Sequence, residues 1–278
     1  MDNYCVFGHP IEHSKSPWIQ TRFAELTGQS MLYTKTLVPL NDFTNFVHAF
    51  QTSGGLGCNV TLPFKAEAAA LTTRCSARVS LAQACNTLKF EGQEIYGENT
   101  DGLGLVTDLV RNAGFGIQGQ RILLIGAGGA AAGVLGPLLS EKPRSIWVVN
   151  RTPEHATHLV KLHTPLAQAE NVDCKAFGLS HDALQDQSFD LVINASSSSL
   201  NQGEVPVPAS VLSRHGMACD LMYGPAALPF LEWATRHGAV ARDGLGMLVE
   251  QAAASFELWR GVKPPTASVL SELRTLLA

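Results

Sequence analysis

The sequence predicts an α/β protein of two domains, and three observations carry that expectation. Short apolar runs of β character alternate with amphipathic segments from the first residues onward. The stretch Gly114-Phe115-Gly116 interrupts the alternation. Beyond it the pattern restarts with an apolar strand that runs straight into a glycine cluster.

Residues 4–8, 31–37 and 57–61 read as strands, with 18–26 and 43–50 as amphipathic segments between them. Pro17 stands where a helix can begin, because the N–H it lacks is one that a first helical turn leaves unpaired, and Gly28 stands where that helix can end. Residues 84–97 read as two strands joined by the turn-like Glu91-Gly92-Gln93. An amphipathic run over 101–113 predicts one connecting helix. The second domain follows with strands at 121–125, 145–149, 172–177, 191–195 and 217–221, a helix reaching 139, a helix over 228–236 and a short run at 239–242. Its sheet is expected to be parallel. Two helices, 245–260 and 267–277, flank Gly261-Val262-Lys263-Pro264-Pro265. No internal repeat or low-complexity segment interrupts the pattern.

The chain has 278 residues and a formal net charge of −4, with no concentrated basic run. That balance argues against nucleic acid or a membrane surface as partner and favours a small molecule. No signal-like leader and no apolar stretch of the ~18 residues that a spanning helix needs is present, so a soluble cytoplasmic protein is expected. The charge and composition leave monomer and homodimer equally open. The six cysteines show no C-x-x-C pair and no histidine at ligand spacing, which predicts buried or half-buried free thiols. His9 and His13 are four apart, but Pro10 between them disfavours a shared helical face, and no metal is expected.

Within the second domain, Ile122-Leu123-Leu124-Ile125-Gly126-Ala127-Gly128-Gly129-Ala130-Ala131 places G-x-G-x-x-A at a strand-to-helix junction. Gly126 permits the tight turn, Gly128 lets the backbone approach a pyrophosphate, and Ala131 keeps the helix close to the sheet. This is the pattern of a Rossmann-type, doubly wound parallel sheet. A glycine-rich turn without a ligand is the bland alternative. The next strand opposes it, ending in Asn150-Arg151-Thr152 where an NAD reader carries an acid for the ribose hydroxyls. Arg151 offers a planar cation suited to a 2′-phosphate, flanked by two neutral hydrogen-bonding side chains, so NADP(H) is expected over NAD.

Three polar clusters mark the first domain: Ser14-Lys15-Ser16-Pro17, Asn59-Val60-Thr61-Leu62-Pro63-Phe64-Lys65 and Asn99-Thr100-Asp101-Gly102. Singly, each reads equally as a helix cap or a solvated side chain. Taken in this order, together with Gly8-His9-Pro10-Ile11, Cys85-Asn86-Thr87, the glycine-rich turn, Asn150-Arg151-Thr152, Asp220-Leu221-Met222-Tyr223 and the run from Asp243-Gly244-Leu245-Gly246 to Gln251, they resemble the shikimate dehydrogenase family over nearly the whole chain.

The resemblance implies reversible NADPH-dependent reduction of 3-dehydroshikimate to shikimate, a step of chorismate and aromatic amino acid biosynthesis. It implies a substrate-binding and catalytic domain of residues 1–103 and 242–278, to which the final helices return, and an NADP-binding domain of residues 104–241. It makes Lys65 and Asp101 the catalytic pair, and Ser14, Ser16, Thr61, Lys65, Asn86, Asp101, Tyr223 and Gln251 the substrate-binding set. Gly126, Ala127, Gly128, Gly129, Ala130, Asn150, Arg151, Thr152, Asn194, Ala195, Leu221 and Gly244 would bind the cofactor. Asn59 and Asn99 would support their loops rather than touch substrate. The residue chemistry agrees, since hydroxyls and amides exchange hydrogen bonds with a polyhydroxylated ring, and an ammonium can stabilise and protonate a carbonyl oxygen as hydride reaches its carbon. The chain departs from the family's pattern at Asn194-Ala195-Ser196-Ser197-Ser198-Ser199-Leu200, where a glycine is missing, and near Ala77, where many members carry an acid. An NAD-linked activity on quinate is the nearest rival, opposed by Arg151 and Ser16. A binding module that has lost turnover is the rival from outside the enzymes.

Overall fold

The computed structural model describes residues 1–179, 181–196 and 205–277. The chain forms two compact units, Met1–Gly104 with Leu248–Ala278, and Leu105–Met247.

In the first unit the strands are β1 (Asp2–Gly8), β2 (Met31–Leu37), β3 (Gly55–Val60), β4 (Arg74–Cys75), β5 (Thr87–Glu91) and β6 (Glu94–Glu98). They form one mixed sheet in the order β2-β1-β3-β5-β6-β4. β1 runs parallel to β2 and β3, β5 runs antiparallel to β3 and β6, and β4 runs parallel to β6. The helices are α1 (Ser16–Thr27), α2 (Phe43–Thr52), α3 (Lys65–Leu71) and α4 (Ala77–Ala82). α1 has Pro17 in its first turn and stops at Gly28, whose φ of 65° lets its N–H turn back to the last carbonyls. One face of the sheet packs Phe7, Phe43, Val47, Cys58, Phe64 and Leu88 into a core. There the Phe43 and Phe64 rings stack with centroids 4.9 Å apart, which anchors the chain immediately before Lys65.

The final helices, α10 (Leu245–Arg260) and α11 (Thr266–Leu277), contribute their residues from 248 onward to this unit. Trp259 donates its indole N–H to the Leu88 carbonyl at 3.0 Å and lies against Tyr4. A Cβ at Gly57 would stand 2.6 Å from that indole nitrogen, so the docking of α10 depends on the missing side chain.

The second unit holds β7 (Arg121–Ile125), α6 (Gly129–Ser140), β8 (Ser145–Asn150), α7 (Pro153–Ala169), β9 (Asp173–Gly178), α8 (His181–Leu184), β10 (Phe189–Asn194), β11 (Leu212–Asp220), α9 (Leu228–Arg236) and β12 (Val240–Arg242). Every pairing is parallel, in the order β12-β11-β10-β7-β8-β9. The chain winds outward from β7 to β9, crosses back to β10, and winds the other way to β12. The switch point, where α/β sheets collect ligands, therefore lies between β7 and β10. Residues 153–169, for which the sequence pattern predicts no element, form α7 with Pro165 inside it.

Two expectations are corrected. The helix expected over 101–113 is α5 (Asp101–Thr107) followed by a π-helical turn, Asp108–Asn112, in which the Ala113 N–H reaches the Asp108 carbonyl. Asp108 is fully buried, takes a two-pronged ion pair from Arg242, and occupies the space that a side chain at Gly246 would fill. That constraint comes from residues more than a hundred positions away and leaves no periodicity in the local sequence. Cys75, expected buried or half-buried, is exposed because its two-residue strand forms an edge of the sheet. Among the described residues no helix is long and apolar enough to cross a membrane.

Candidate active site

Topology brings the polar motifs of the first unit to one sheet edge. β1 and β3 are parallel, so the loops that follow Gly8 and Val60 leave from the same side. β5 is antiparallel to β3 and pairs Thr87 with Asn59, which puts Asn86 at that edge. β6 returns antiparallel to β5, with Glu98 opposite Thr87, so Asn99-Thr100-Asp101 emerges there too.

At this edge Lys65, the first residue of α3, lies 2.6 Å through Nζ from Asp101 Oδ2, with both side chains largely buried. Asn86 donates from Nδ2 to Asp101 Oδ1 and to Thr100 Oγ1, both at 2.9 Å, and accepts at Oδ1 from the Thr100 N–H at 2.8 Å and the Thr87 hydroxyl at 2.9 Å. A flipped amide would turn its carbonyl oxygen onto the carboxylate, so the network fixes the orientation of Asn86. Gln251 of α10 joins with Oε1 3.3 Å from Asn86 Nδ2, while its own amide N–H holds the Leu248 carbonyl.

Beneath this layer Asn59 accepts from the Tyr33 hydroxyl at 2.7 Å and donates to the Asn86 carbonyl at 3.1 Å. Burial pushes the Tyr33 phenol well up, so it stays a donor. Asn99 supports Asp101 by accepting its backbone N–H and donating to the Ala84 carbonyl. Ser255, one helical turn beyond Gln251, lies 3.1 Å from Asn59 Nδ2 and 2.8 Å from Thr87 Oγ1. The sequence motifs give neither Ser255 nor Thr87 a role, although Thr87 follows Asn86 in its motif and Ser255 shares a helix face with Gln251 by its four-residue spacing.

Ser14 precedes α1 and Ser16 opens it, and the Ser16 N–H donates to the Ser14 hydroxyl at 3.3 Å. Thr61 is half-buried, and its methyl lies where a Cβ on Gly8 would intrude to 2.5 Å. Tyr223 belongs to the second unit, where burial raises its phenol.

In the second unit, the carboxyl ends of β7, β8, β10, β11 and β12 and the loops that follow them carry the expected cofactor residues. Gly126 has φ +106°, and a Cβ there would stand 3.0 Å from the Ala195 backbone, so a side chain is excluded by both conformation and space. Gly128 and Gly129 are exposed, with nothing among the described residues within 4 Å of an added Cβ. Ala127 and Ala130 are half-buried beside them at the start of α6, whose Ala131 is fully buried against the sheet. Asn194 donates to Asp220 at 2.9 Å and accepts from Ser196, and its carbonyl receives the Leu221 N–H. Gly244 packs against Leu221 at a distance that admits no side chain. Asn150 holds the Thr152 carbonyl, and Arg151 is exposed. The serines at 197–199 and Leu200 lie outside the described residues.

An exposed glycine backbone at a helix start, with the turn before it closed to side chains, is a cradle that fits a dinucleotide pyrophosphate. Among the described residues no group of three His, Cys, Asp or Glu side chains could hold a metal ion.

Known proteins show the same arrangement of segments. A family model described as the shikimate dehydrogenase substrate binding domain matches residues 6–88, one described as shikimate/quinate 5-dehydrogenase matches residues 108–202, and one described as the shikimate 5′-dehydrogenase C-terminal domain matches residues 244–274. A relative from an Acidovorax species, named shikimate dehydrogenase (NADP(+)), is 58% identical over 100% of this chain and 97% of its own. One of the same name from Paracidovorax citrulli is 56% identical over 99% of this chain and 98% of its own. The crystal structure of shikimate 5-dehydrogenase from Thermus thermophilus in complex with NADP(H) and shikimate is 28% identical, covers 100% of both chains and superposes with a TM-score of 0.86.

Proposed function

The chain belongs to the shikimate dehydrogenase family, and we propose that it performs the NADP(+)-dependent activity for which its relatives are named, with Lys65 and Asp101 as its catalytic pair. The protein is an oxidoreductase that acts on a CH–OH group. The single observation that carries the catalytic reading is the 2.6 Å contact between Lys65 and Asp101 inside a network of buried amides and hydroxyls.

The first unit is the substrate domain in this reading and the second binds the cofactor. Bound NADP(H) supplies hydride to 3-dehydroshikimate or takes it from shikimate. Gly126, Ala127, Gly128, Gly129 and Ala130 would hold the pyrophosphate by backbone contact, and Asn150, Arg151 and Thr152 would hold the adenosine end. Asn194, Ala195, Leu221 and Gly244 would line the remainder. In the reducing direction, Lys65 faces the ketone oxygen, stabilises the growing negative charge and gives up its proton to form the hydroxyl. In the oxidising direction the same amine receives the proton. Asp101 orients the ammonium and accepts from ring hydroxyls, to which the amides of Asn86 and Gln251 can also donate. Ser14 and Ser16 meet the carboxylate, while Thr61 and Tyr223 complete the set.

The test is nicotinamide absorbance when purified protein meets shikimate or quinate, each with NADP⁺ or NAD⁺. Reduction is expected with shikimate and NADP⁺. Preference for quinate or NAD⁺ would overturn the role given to Ser16 or to Arg151, and absence of turnover in all four pairings would leave a binding module.

A further inference from the structure

Glu98 ends β6 three residues before Asp101, and its carboxylate is almost fully buried. Oε1 accepts the Ser76 hydroxyl at 2.6 Å, the Asn99 backbone N–H at 2.8 Å and Arg78 Nε at 3.0 Å, while Oε2 accepts Arg78 Nη2 at 2.8 Å. The two-pronged arginine and the Ser76 cap of α4 therefore grip the residue from which Asn99-Thr100-Asp101 departs.

The Lys65 side of the site is tied to the same place. The Cys85 N–H donates to the Lys65 carbonyl at 2.8 Å, the Cys85 thiol lies 3.3 Å from the Glu98 carbonyl, and the Asn86 N–H reaches that carbonyl at 3.2 Å. Burial pushes the Cys85 thiol up to about 12, which keeps it protonated and able to donate. Glu98 is thus where the segments that carry Lys65 and Asp101 are connected by hydrogen bonds.

We propose that Arg78 and Glu98 form a latch that sets the Asp101 carboxylate against the Lys65 ammonium, as positioning residues for the dehydrogenase reaction. The proposal rests on the reading of Lys65 and Asp101 as the reacting pair. A neutral acceptor at position 98 would satisfy the Asn99 N–H and the Ser76 hydroxyl. A buried carboxylate there requires Arg78 as well, because an unpaired charge in that position is strongly disfavoured. Without Arg78 the end of β6 relaxes toward water and carries Asp101 away from Lys65. A guanidinium fixes direction as well as charge, since its two parallel N–H groups match the two carboxylate oxygens.

The experiment compares kcat, the KM for shikimate and the KM for NADP⁺ in the wild type, Arg78→Met, the double variant Arg78→Met with Glu98→Gln, and Asp101→Asn, with melting temperature confirming that each is folded. Displacement of a reacting group by about 1 Å costs on the order of a hundredfold in rate, so Arg78→Met is expected to lose ~10- to 100-fold in kcat, with KM for NADP⁺ changed by less than about twofold. The double variant is expected to recover most of that loss, because an amide accepts from Asn99 and needs no counter-ion. A kcat for Arg78→Met within about twofold of wild type, or a loss that the second substitution does not relieve, would overturn the latch. Asp101→Asn separates the two ideas. If it keeps wild-type kcat, the pair itself is wrong and the latch falls with it; if it is severely impaired while Arg78→Met is not, only the latch is wrong.

Discussion

The Lys65–Asp101 cluster and the Gly126–Ala131 loop achieve placement by opposite means. The first is made of side chains. Asn59, Asn86, Thr100 and Asp101 are buried and each holds another by hydrogen bonds of 2.8 to 3.1 Å. The second is made of backbone, exposed at Gly128 and Gly129, and depends on what is missing at Gly126. A side-chain site is broken by removing a functional group of the right shape, whereas a backbone site is broken by adding atoms.

The sharpest test of the side-chain half is Lys65→Ala. General acid catalysis contributes roughly 10²- to 10⁴-fold, so kcat is expected to fall by that order while shikimate binding, followed by calorimetry, changes little. Wild-type turnover in this variant would remove Lys65 from the chemistry.

Gly126→Val is the counterpart for the backbone half. The +106° φ and the 3.0 Å approach to Ala195 make any side chain strained there, at about 1–3 kcal/mol, so KM for NADP⁺ is expected to rise roughly tenfold or more, with KM for shikimate little changed. Gly128→Ala sharpens the contrast, since no atom of the described residues lies within 4 Å of the added methyl. Its melting temperature should match wild type in the free protein, and its penalty should appear only when NADP⁺ is titrated. If Gly128→Ala binds NADP⁺ normally, the backbone at 128 does not approach the pyrophosphate.

Arg151→Ala follows in expected size. Arg151 is exposed, so its contribution is read in the ratio of kcat/KM for NADP⁺ to that for NAD⁺. Loss of one charge-assisted contact to a 2′-phosphate lowers that ratio by about tenfold. An unchanged ratio would place phosphate recognition elsewhere in the second unit.

The two halves also differed in how far they could be read from the chain. The backbone half was legible because its requirements are local. Strand, glycine turn and helix follow one another within 121–140, and the parallel sheet follows from the repeated alternation. In the side-chain half, motif resemblance points to Lys65, Asn86, Asp101 and Gln251 and to Asn59 and Asn99 as their supports, but not to the more distant side chains of Ser255 and Arg78. Ser255 is 196 residues from Asn59, and Arg78 is 20 from Glu98. Serine and arginine at such positions look like ordinary solvated residues until the fold buries their partners. The π-helical turn at Asp108–Asn112 escaped for the same reason, since Arg242 and Gly246 shape it from a distance.

The smallest expected effect concerns the packing behind the backbone site. His163 of α7 is fully buried, its Nδ1 lies 2.9 Å from the Leu159 carbonyl, and its Nε2 has no hydrogen-bond partner among the described residues. A Cβ on Gly136 of α6, the helix that begins at the glycine turn, would come within 3.7 Å of that nitrogen. Burial lowers the His163 pKa from its ordinary 6.5, and the Leu159 carbonyl offsets only part of this. The unfolded chain therefore binds the proton more readily than the folded one. Its contribution to stability is whole above the unfolded value of about 6.5 and is lost as pH falls below it, until the folded imidazole also charges. Urea midpoints taken from pH 7.5 down to 5.5 should decline for the wild type and decline less steeply for His163→Leu. Parallel slopes for wild type and variant would assign the acid sensitivity to carboxylates and detach it from the helix behind the glycine turn.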